Sequence, residues 1–266
     1  MITIQDKLAK EFNIRLNQVE SFVELLDGGN TVPFIARYRK EATGGLDDEV
    51  LRNLFERLTY LRNLEDRKKD VIRLIEEQGK LTEELKNSVL KCEILSEVED
   101  VYRPYKVKKR TRATIALEKG LKPLADTILE GNFQGNILEY AKGYVDEEKK
   151  VLNEEDALKG AMDIISEVIA DEAEYRKWLR TYIRREGFVE TKGQDKENTT
   201  FEMYYDYREM VKSIPAHRIL AINRGEKEKI LNVKITVDND KVISYLKVKV
   251  LKDNKETDPY IEKSVE

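Results

Sequence analysis

From Leu51 onward, apolar residues return every three or four positions: Leu51, Leu54, Phe55, Leu58, Leu61 and Leu64, then Val71, Ile72, Leu74 and Ile75. A strand cannot use that spacing, because it sends alternate residues to opposite faces. A helix can. Asp47 and Asp48 stand where a helix N-terminus favours negative charge, and Gly79 supplies a stop. The spacing predicts one helix of roughly 30 residues, about 45 Å if unbroken, which can span a domain or bridge two. The heptad does not persist far enough to predict a coiled coil. A chain organised on such a rod is expected to be mainly α.

Composition agrees. With 38% charged residues, 8% aromatics, 5 prolines and 13 glycines in 266 residues, the chain favours helix and is rich enough in apolar side chains to escape disorder. That length allows one large domain or two ordinary ones.

The elements before the long helix are short. Thr3 caps a helix with Ile4, Leu8 and Phe12 on one side. Asn17 and Glu20 have capping-box spacing for a second, which carries Val19, Phe22, Val23 and Leu26 and stops at Gly28-Gly29. Pro33 suits the first turn of a third, where Phe34, Ile35 and Tyr38 are expected to be buried. Arg37, Arg39 and Lys40 on that helix are expected to pack through salt bridges to Glu41, Asp47 and Asp48.

After the long helix, Thr82 caps a helix through Leu85, Val89 and Cys92. Ser96 with Glu99 has capping-box spacing for another that ends before Pro104. Near Asn153 a helix begins whose buried face is predicted as Ala157, Ala161, Ile164, Ile165, Val168 and Ile169. Trp178, Leu179, Tyr182 and Ile183 mark one more, closed by Gly187. ETKGQDKENTT reads as a polar loop, and FEMYYDYREMVKSI as helical or irregular. Ile219–Ile222 and Ile230–Val237 are rich in β-branched residues and read as a small β-hairpin across NRGEKEK, with VISYLKVKVL a third strand or a short helix, its alternation favouring the strand. Asp258-Pro259 reads as a helix cap and first turn. YIEKSVE follows without a terminator, so the chain is expected to be part of a longer protein.

One stretch stands apart in charge. YRPYKVKKRTRA, residues 102–113, carries Arg103, Lys106, Lys108, Lys109, Arg110 and Arg112, and no acid occurs from Tyr102 to Leu117, in a chain of net charge −4. Six cations meeting phosphates would give a salt slope of about −5 on duplex DNA. Tyr102 and Tyr105 can stack on unpaired bases. The competing reading is a solvated loop paired with Glu97, Glu99 and Glu118. Net charge alone argues for no nucleic-acid partner, so only this local patch supports one.

Other chemistry finds little support. Cys92 is the single cysteine, which excludes an internal disulfide framework and a cysteine zinc site; on an apolar helix face it reads as a buried structural thiol. His217 is the single histidine and has no carboxylate or nucleophile at a telling spacing. The acid clusters Asp47-Asp48, Glu147-Glu148 and Glu154-Glu155-Asp156 fall at helix starts or in loops, where they complement the dipole. The glycine pairs have no phosphate-loop signature beside them. No catalytic residue, metal site or cofactor is expected. The N-terminus has no signal-peptide run and no segment approaches a membrane span, so a cytoplasmic, non-enzymatic protein without a membrane partner is expected.

Four blocks in order carry a resemblance: VPFIARYRKEATGGLDDEVLRNL, EEQGKLTEELK, VYRPYKVKKRTRATIALEKGLKPLAD and PAHRILAINRGEKE. Together they resemble the N-terminal half of the Tex family, bacterial transcription accessory proteins, from the first residues to about Lys252. The resemblance implies a multi-helical elongated scaffold with an inserted helix-turn-helix-like unit between the long helix and Gly187. It also implies RNase-H-like, helix-hairpin-helix and OB-fold RNA-binding domains after the matched region, and binding of RNA or DNA without strong sequence preference. The expected organisation is therefore a helical region over 1–100, a helix-turn-helix-like unit over 101–189, and a linker, hairpin and start of a further domain over 190–266. Two functions are expected: a non-catalytic nucleic-acid-binding scaffold with an auxiliary basic loop at Arg103, Tyr105, Lys106, Lys108, Lys109, Arg110 and Arg112, or an interaction module docking on transcription machinery or on further domains of its own chain.

Overall fold

The structure is a computed structural model that describes residues 3–106, 110–193 and 199–266. Among these residues there are fourteen α-helices and one small three-stranded antiparallel sheet, so the chain is mainly α as its spacing predicts. It divides into two compact units, Met1–Tyr102 and Arg103–Glu266.

In the first unit, α1 (Ile4–Phe12) opens on a capping box: Thr3 Oγ1 accepts from Asp6 N at 3.1 Å, and Thr3 N donates to the Asp6 carboxylate at 2.9 Å. The second helix, α2 (Leu16–Asp27), starts earlier than the Asn17–Glu20 spacing implies. Gln18 takes the reciprocal role by accepting from Arg15 N at 3.2 Å, and it is buried because its amide also donates to the carbonyls of Thr43 (3.0 Å) and Gly44 (3.2 Å). A long-range anchor therefore sets a helix start that local spacing placed elsewhere. Then come α3 (Val32–Tyr38), with Pro33 in its first turn, and α4 (Asp48–Glu76), the predicted rod of 29 residues. Asp47 caps α4 by accepting from Val50 N at 2.8 Å.

The rod buries Leu51, Leu54, Leu58, Leu61, Leu64, Lys68, Val71 and Ile75, one continuous seam of three- and four-residue steps. It packs against α1, α3, α5 (Glu83–Lys91) and α6 (Leu95–Tyr102). Lys68 belongs to the seam because its ammonium has partners: it donates to Glu65 at 2.9 Å and to the carbonyl of Leu90 at 3.1 Å, at the end of α5. Two bidentate pairs tie the rod to the opening helices, Arg57 to Glu11 at 2.7 and 2.8 Å and Arg62 to Asp27 at 2.8 Å on both arms. The guanidinium hydrogen bonds hold both carboxyls below the usual carboxylate range. The Ser96–Glu99 spacing does not cap α6, which begins at Leu95. Leu95 N donates to the Tyr60 hydroxyl at 3.2 Å, and Glu99 accepts from Arg67 at 2.6 Å, so contact with the rod outweighs the local motif.

The loop between α3 and α4 is held from inside. Thr43 is fully buried, and its hydroxyl donates to the Lys40 carbonyl at 3.1 Å. Gly44 has φ +62°, and a Cβ there would stand 2.7 Å from Nε2 of Gln18. Gly45, at φ +85°, has open space around it. Gly44→Ala is expected to cost about 2 kcal/mol, combining left-handed strain with displacement of the Gln18 anchor, and Gly45→Ala only about 1. Thermal unfolding followed by far-ultraviolet circular dichroism ranks the two; equal shifts in Tm would contradict the anchor.

The second unit begins with a 3₁₀ turn, Arg103–Tyr105, followed by α7 (Arg112–Glu118), α8 (Lys122–Glu130), α9 (Ile137–Lys142), α10 (Glu154–Asp171) and α11 (Ala173–Glu186). Asn153 caps α10 by accepting from Asp156 N at 2.8 Å. The buried face of α10 is Ala157, Leu158, Ala161, Ile164, Ile165 and Ile169, against α7, α8, α9 and the last helix, α14 (Asp258–Val265). Val168, placed on that face by spacing, is 50% exposed and lies outside it.

After Gly187 the order is β1 (Phe188–Gly193), β2 (Asp206–Met210), α12 (Ala216–Lys227), β3 (Leu231–Thr236), α13 (Asn239–Val250) and α14. The sheet order is β2-β1-β3, with Phe188 opposite both Met210 and Thr236. Four local expectations fail here. DYREM, within the FEMYYDYREMVKSI stretch expected to be helical or irregular, is the edge strand β2, because its backbone pairs with β1 from Phe188 opposite Met210 to Lys192 opposite Asp206. ETKG is the end of the central strand rather than polar loop, and Thr191 is buried in it; residues 194–198 lie outside the described residues. Ile219–Ile222 belongs to helix α12, and Gly225 lies inside that helix rather than in a turn. A Cβ at Gly225 would stand 2.6 Å from Leu231, so the glycine permits β3 to close on the helix. VISYLKVKVL is helix α13, capped by Asp238; Leu246 and Val250 face the core while Val248 is 84% exposed. Its alternation is overridden by a four-residue period, because helical neighbours offer the apolar surface to cover.

Candidate nucleic-acid interface

The basic stretch runs beside an acidic ladder. Asp163, Glu167 and Asp171 follow one another at intervals of four along α10 and so share a face of it. Each engages the basic stretch. Arg103 donates to Asp171 at 2.6 Å, Thr111 donates its hydroxyl to Glu167 at 2.9 Å, and Arg112 pairs with Asp163 at 3.4 Å. Thr111 also caps α7, accepting from Thr114 N at 3.0 Å. The stretch is thus fastened to α10 at both ends.

The ends differ in strength. Asp171 is 6% exposed, so its charge requires a cation, and Arg103 serves packing first. The Arg110–Glu118 pair at 3.0 Å and the Arg112–Asp163 pair have arginines 71% and 84% exposed. Such solvated pairs contribute about 0–1 kcal/mol and exchange readily with another anion. Of the acids expected as partners, Glu118 takes that role; Glu99 binds Arg67 instead. Lys106 is exposed and Tyr105 half-buried, while Lys108 and Lys109 lie outside the described residues. Tyr102 is 7% exposed, and that burial leaves its ring no free face for a base; the Arg67 guanidinium lies 5.4 Å from its centroid.

A second cationic group emerges in the first unit. On α3 the packing is done by Val32 and Ile35, whereas Phe34 is 38% and Tyr38 64% exposed. Of the carboxylates expected to neutralise the neighbouring cations, Asp47 caps α4 and Asp48 binds Arg52, while Glu41 pairs with none of the three among the described residues. Among the described residues, Arg37, Arg39 and Lys40 enter no ion pair. The pattern was readable as two aromatics one turn apart with cations between and after them, but the usual inward reading of aromatics concealed it.

Other sites are quieter. Cys92 is buried, as its helix face implies, and its Sγ lies 3.3 Å from the Ser88 carbonyl. His217 is exposed in the first turn of α12. A cleft of about 580 Å³ opens between the start of α3 and the rod; its wall carries Asp27 and Glu56 together with Arg52 and Arg62, so no excess of positive charge marks it for an anion. Among the described residues there is no group of three or more histidine, cysteine or carboxylate side chains able to hold a metal ion, and no helix is long and apolar enough to cross a membrane.

Fold and surface define a helical protein with two cationic groups in an acidic chain. The chain belongs to the Tex family: the Tex-like protein N-terminal domain matches residues 2–76, and the Tex central region-like segment matches residues 134–264. The basic stretch lies between the two matched segments. Bacillus subtilis YdcI is 46% identical over 94% of this chain and 35% of its own length. The transcriptional accessory protein Tex of Neisseria gonorrhoeae is 44% identical over 88% of this chain and 31% of its own. The human S1 RNA-binding domain-containing protein 1 is 30% identical over 87% of this chain and 24% of its own. The chain spans about a third of the length of the bacterial relatives it matches.

Proposed function

We propose that this chain serves a cytoplasmic transcription accessory protein as a non-catalytic helical scaffold that holds a basic loop, residues 103–112, against RNA or DNA without strong sequence preference. In this reading α7 to α11 are the helix-turn-helix-like unit. The observation that carries it is the loop's attachment: Arg103 and Thr111–Arg112 fasten its ends to α10, while Lys106, Arg110 and Arg112 stay exposed. Cations at the fastened ends are positioned before binding, which lowers the ordering cost at those ends. Names among the relatives, a transcriptional accessory protein and an S1 RNA-binding domain-containing protein, support the same direction.

With Arg103 committed to Asp171, five cations of the stretch remain for phosphates, giving a salt slope of up to about −4.5 on duplex DNA. Changing Lys106, Lys108, Lys109, Arg110 and Arg112 to Ala is expected to abolish most of that slope. Binding of labelled duplex and single-stranded oligonucleotides across a salt series reads it directly. No binding by the parent chain at low salt, or the same affinity and slope in the variant, removes the loop from consideration. Nuclease-resistant recovery of polymerase would favour an interaction module instead.

A further inference from the structure

We propose that the exposed face of α3 is a second nucleic-acid contact, specific for single strands, in which Phe34 and Tyr38 stack on unpaired bases while Arg37, Arg39 and Lys40 hold the adjoining phosphates. This rests on the nucleic-acid reading above, but on different residues in a different unit.

Three observations carry it. First, the aromatics are outside the core. Their ring centroids are 5.2 Å apart, and the planes are inclined at 44°, on a helix whose Val32 and Ile35 already supply its buried contacts. Tyr38 is 64% exposed, an unfavourable position for a ring with nothing to cover it. Second, the charge is uncompensated. Glu41 is the single acid between Thr31 and Leu46, against Arg37, Arg39 and Lys40, and the nearest downstream carboxylates are used by the α4 cap and by Arg52. The Arg39 guanidinium lies 5.9 Å from the Phe34 ring centroid, which places a cation beside a stacking face. Third, the surface is held in place. Gln18 binds the Thr43 and Gly44 carbonyls, and Thr43 binds the Lys40 carbonyl, so the cations leave a fastened backbone.

Aromatic faces interleaved with cations are what a single strand requires and a duplex cannot use, because paired bases keep their faces stacked inside the helix. An acidic protein segment would satisfy the cations but leave the rings without planar partners.

The test uses the 266-residue chain, a labelled oligo(U), an abasic oligomer of equal length, a duplex and a poly-glutamate peptide. The Phe34→Ala/Tyr38→Ala variant is expected to bind oligo(U) about 5- to 30-fold more weakly, with the abasic oligomer and the duplex unaffected. Arg37→Gln/Arg39→Gln/Lys40→Gln is expected to reduce the single-strand salt slope by about 2. Circular dichroism confirms that each variant is folded, and both positions are on the surface. Unchanged oligo(U) affinity in the aromatic variant overturns the proposal, as does equal loss of abasic binding. Poly-glutamate binding that matches oligo(U) and falls with the same substitutions makes the face an acidic-protein contact and also overturns it. Loss confined to the 106–112 variant upholds the loop and removes α3. Loss confined to the α3 variants does the reverse, and a parent chain that binds no oligonucleotide removes both.

Discussion

Ile165→Ala destabilises the second unit by about 3–4 kcal/mol, the largest effect expected of any single truncation described for this chain. Ile165 is fully buried in the middle of α10, within a cluster that draws Ala113 and Ala116 from α7, Leu124 and Ile128 from α8, Ala141 from α9 and Ile261 from α14. Removing three carbons there opens a cavity whose walls belong to several helices, and no one of them can close it without losing contacts elsewhere. Val168 is the matched control on the same helix: at 50% exposure, Val168→Ala is expected within about 0.5 kcal/mol of the parent. Urea unfolding followed through Trp178 reads the comparison, since that single tryptophan lies in α11 of the same unit. A cost below about 1 kcal/mol for Ile165→Ala would mean that α10 is not the centre of this core.

The second large effect concerns charge. Arg103→Ala is expected to cost about 2 kcal/mol, because it leaves the Asp171 carboxylate 6% exposed without the guanidinium that meets it at 2.6 Å. The arginine is itself 47% exposed, which keeps the figure below that of a fully enclosed pair. Asp171→Asn should recover part of the stability in the Arg103→Ala background, since the neutral amide no longer demands a cation. Arg110→Ala, in a solvated pair, is expected to change stability by less than about 0.5 kcal/mol. Measured by the same tryptophan signal, equal costs for Arg103→Ala and Arg110→Ala would remove Arg103 from its packing role and return it to the binding loop.

Much of the helical frame was legible because its signals are local. The rod follows from leucine spacing between Asp47 and Gly79, and the caps at Thr3, Asp47, Thr82 and Asn153 need only a side-chain oxygen near the next turn's amide. The failures gather after Gly187. In α12 the isoleucines outweighed Ala, Leu, Arg and Asn in a short window, and in α13 alternating valines imitated a strand. Neither segment carries the information that settles it, which is where the neighbouring apolar surface lies.

The candidate site divides along the same line. Residue order alone placed six cations without an acid in residues 102–117, and family likeness in four consecutive blocks. Which of those cations are bound, and to what, required α10 to bring Asp163, Glu167 and Asp171 alongside from more than fifty residues away. The same holds for α3. Its aromatics and cations are plain in VPFIARYRK, yet their exposure depends on Val32 and Ile35 filling the seam against α4 and on Asp47 and Asp48 turning to α4 itself. Periodicity and capping act over one or two turns and can be read along the chain. Burial and ion pairing are competitions among distant groups, and their outcome exists only once the chain has folded.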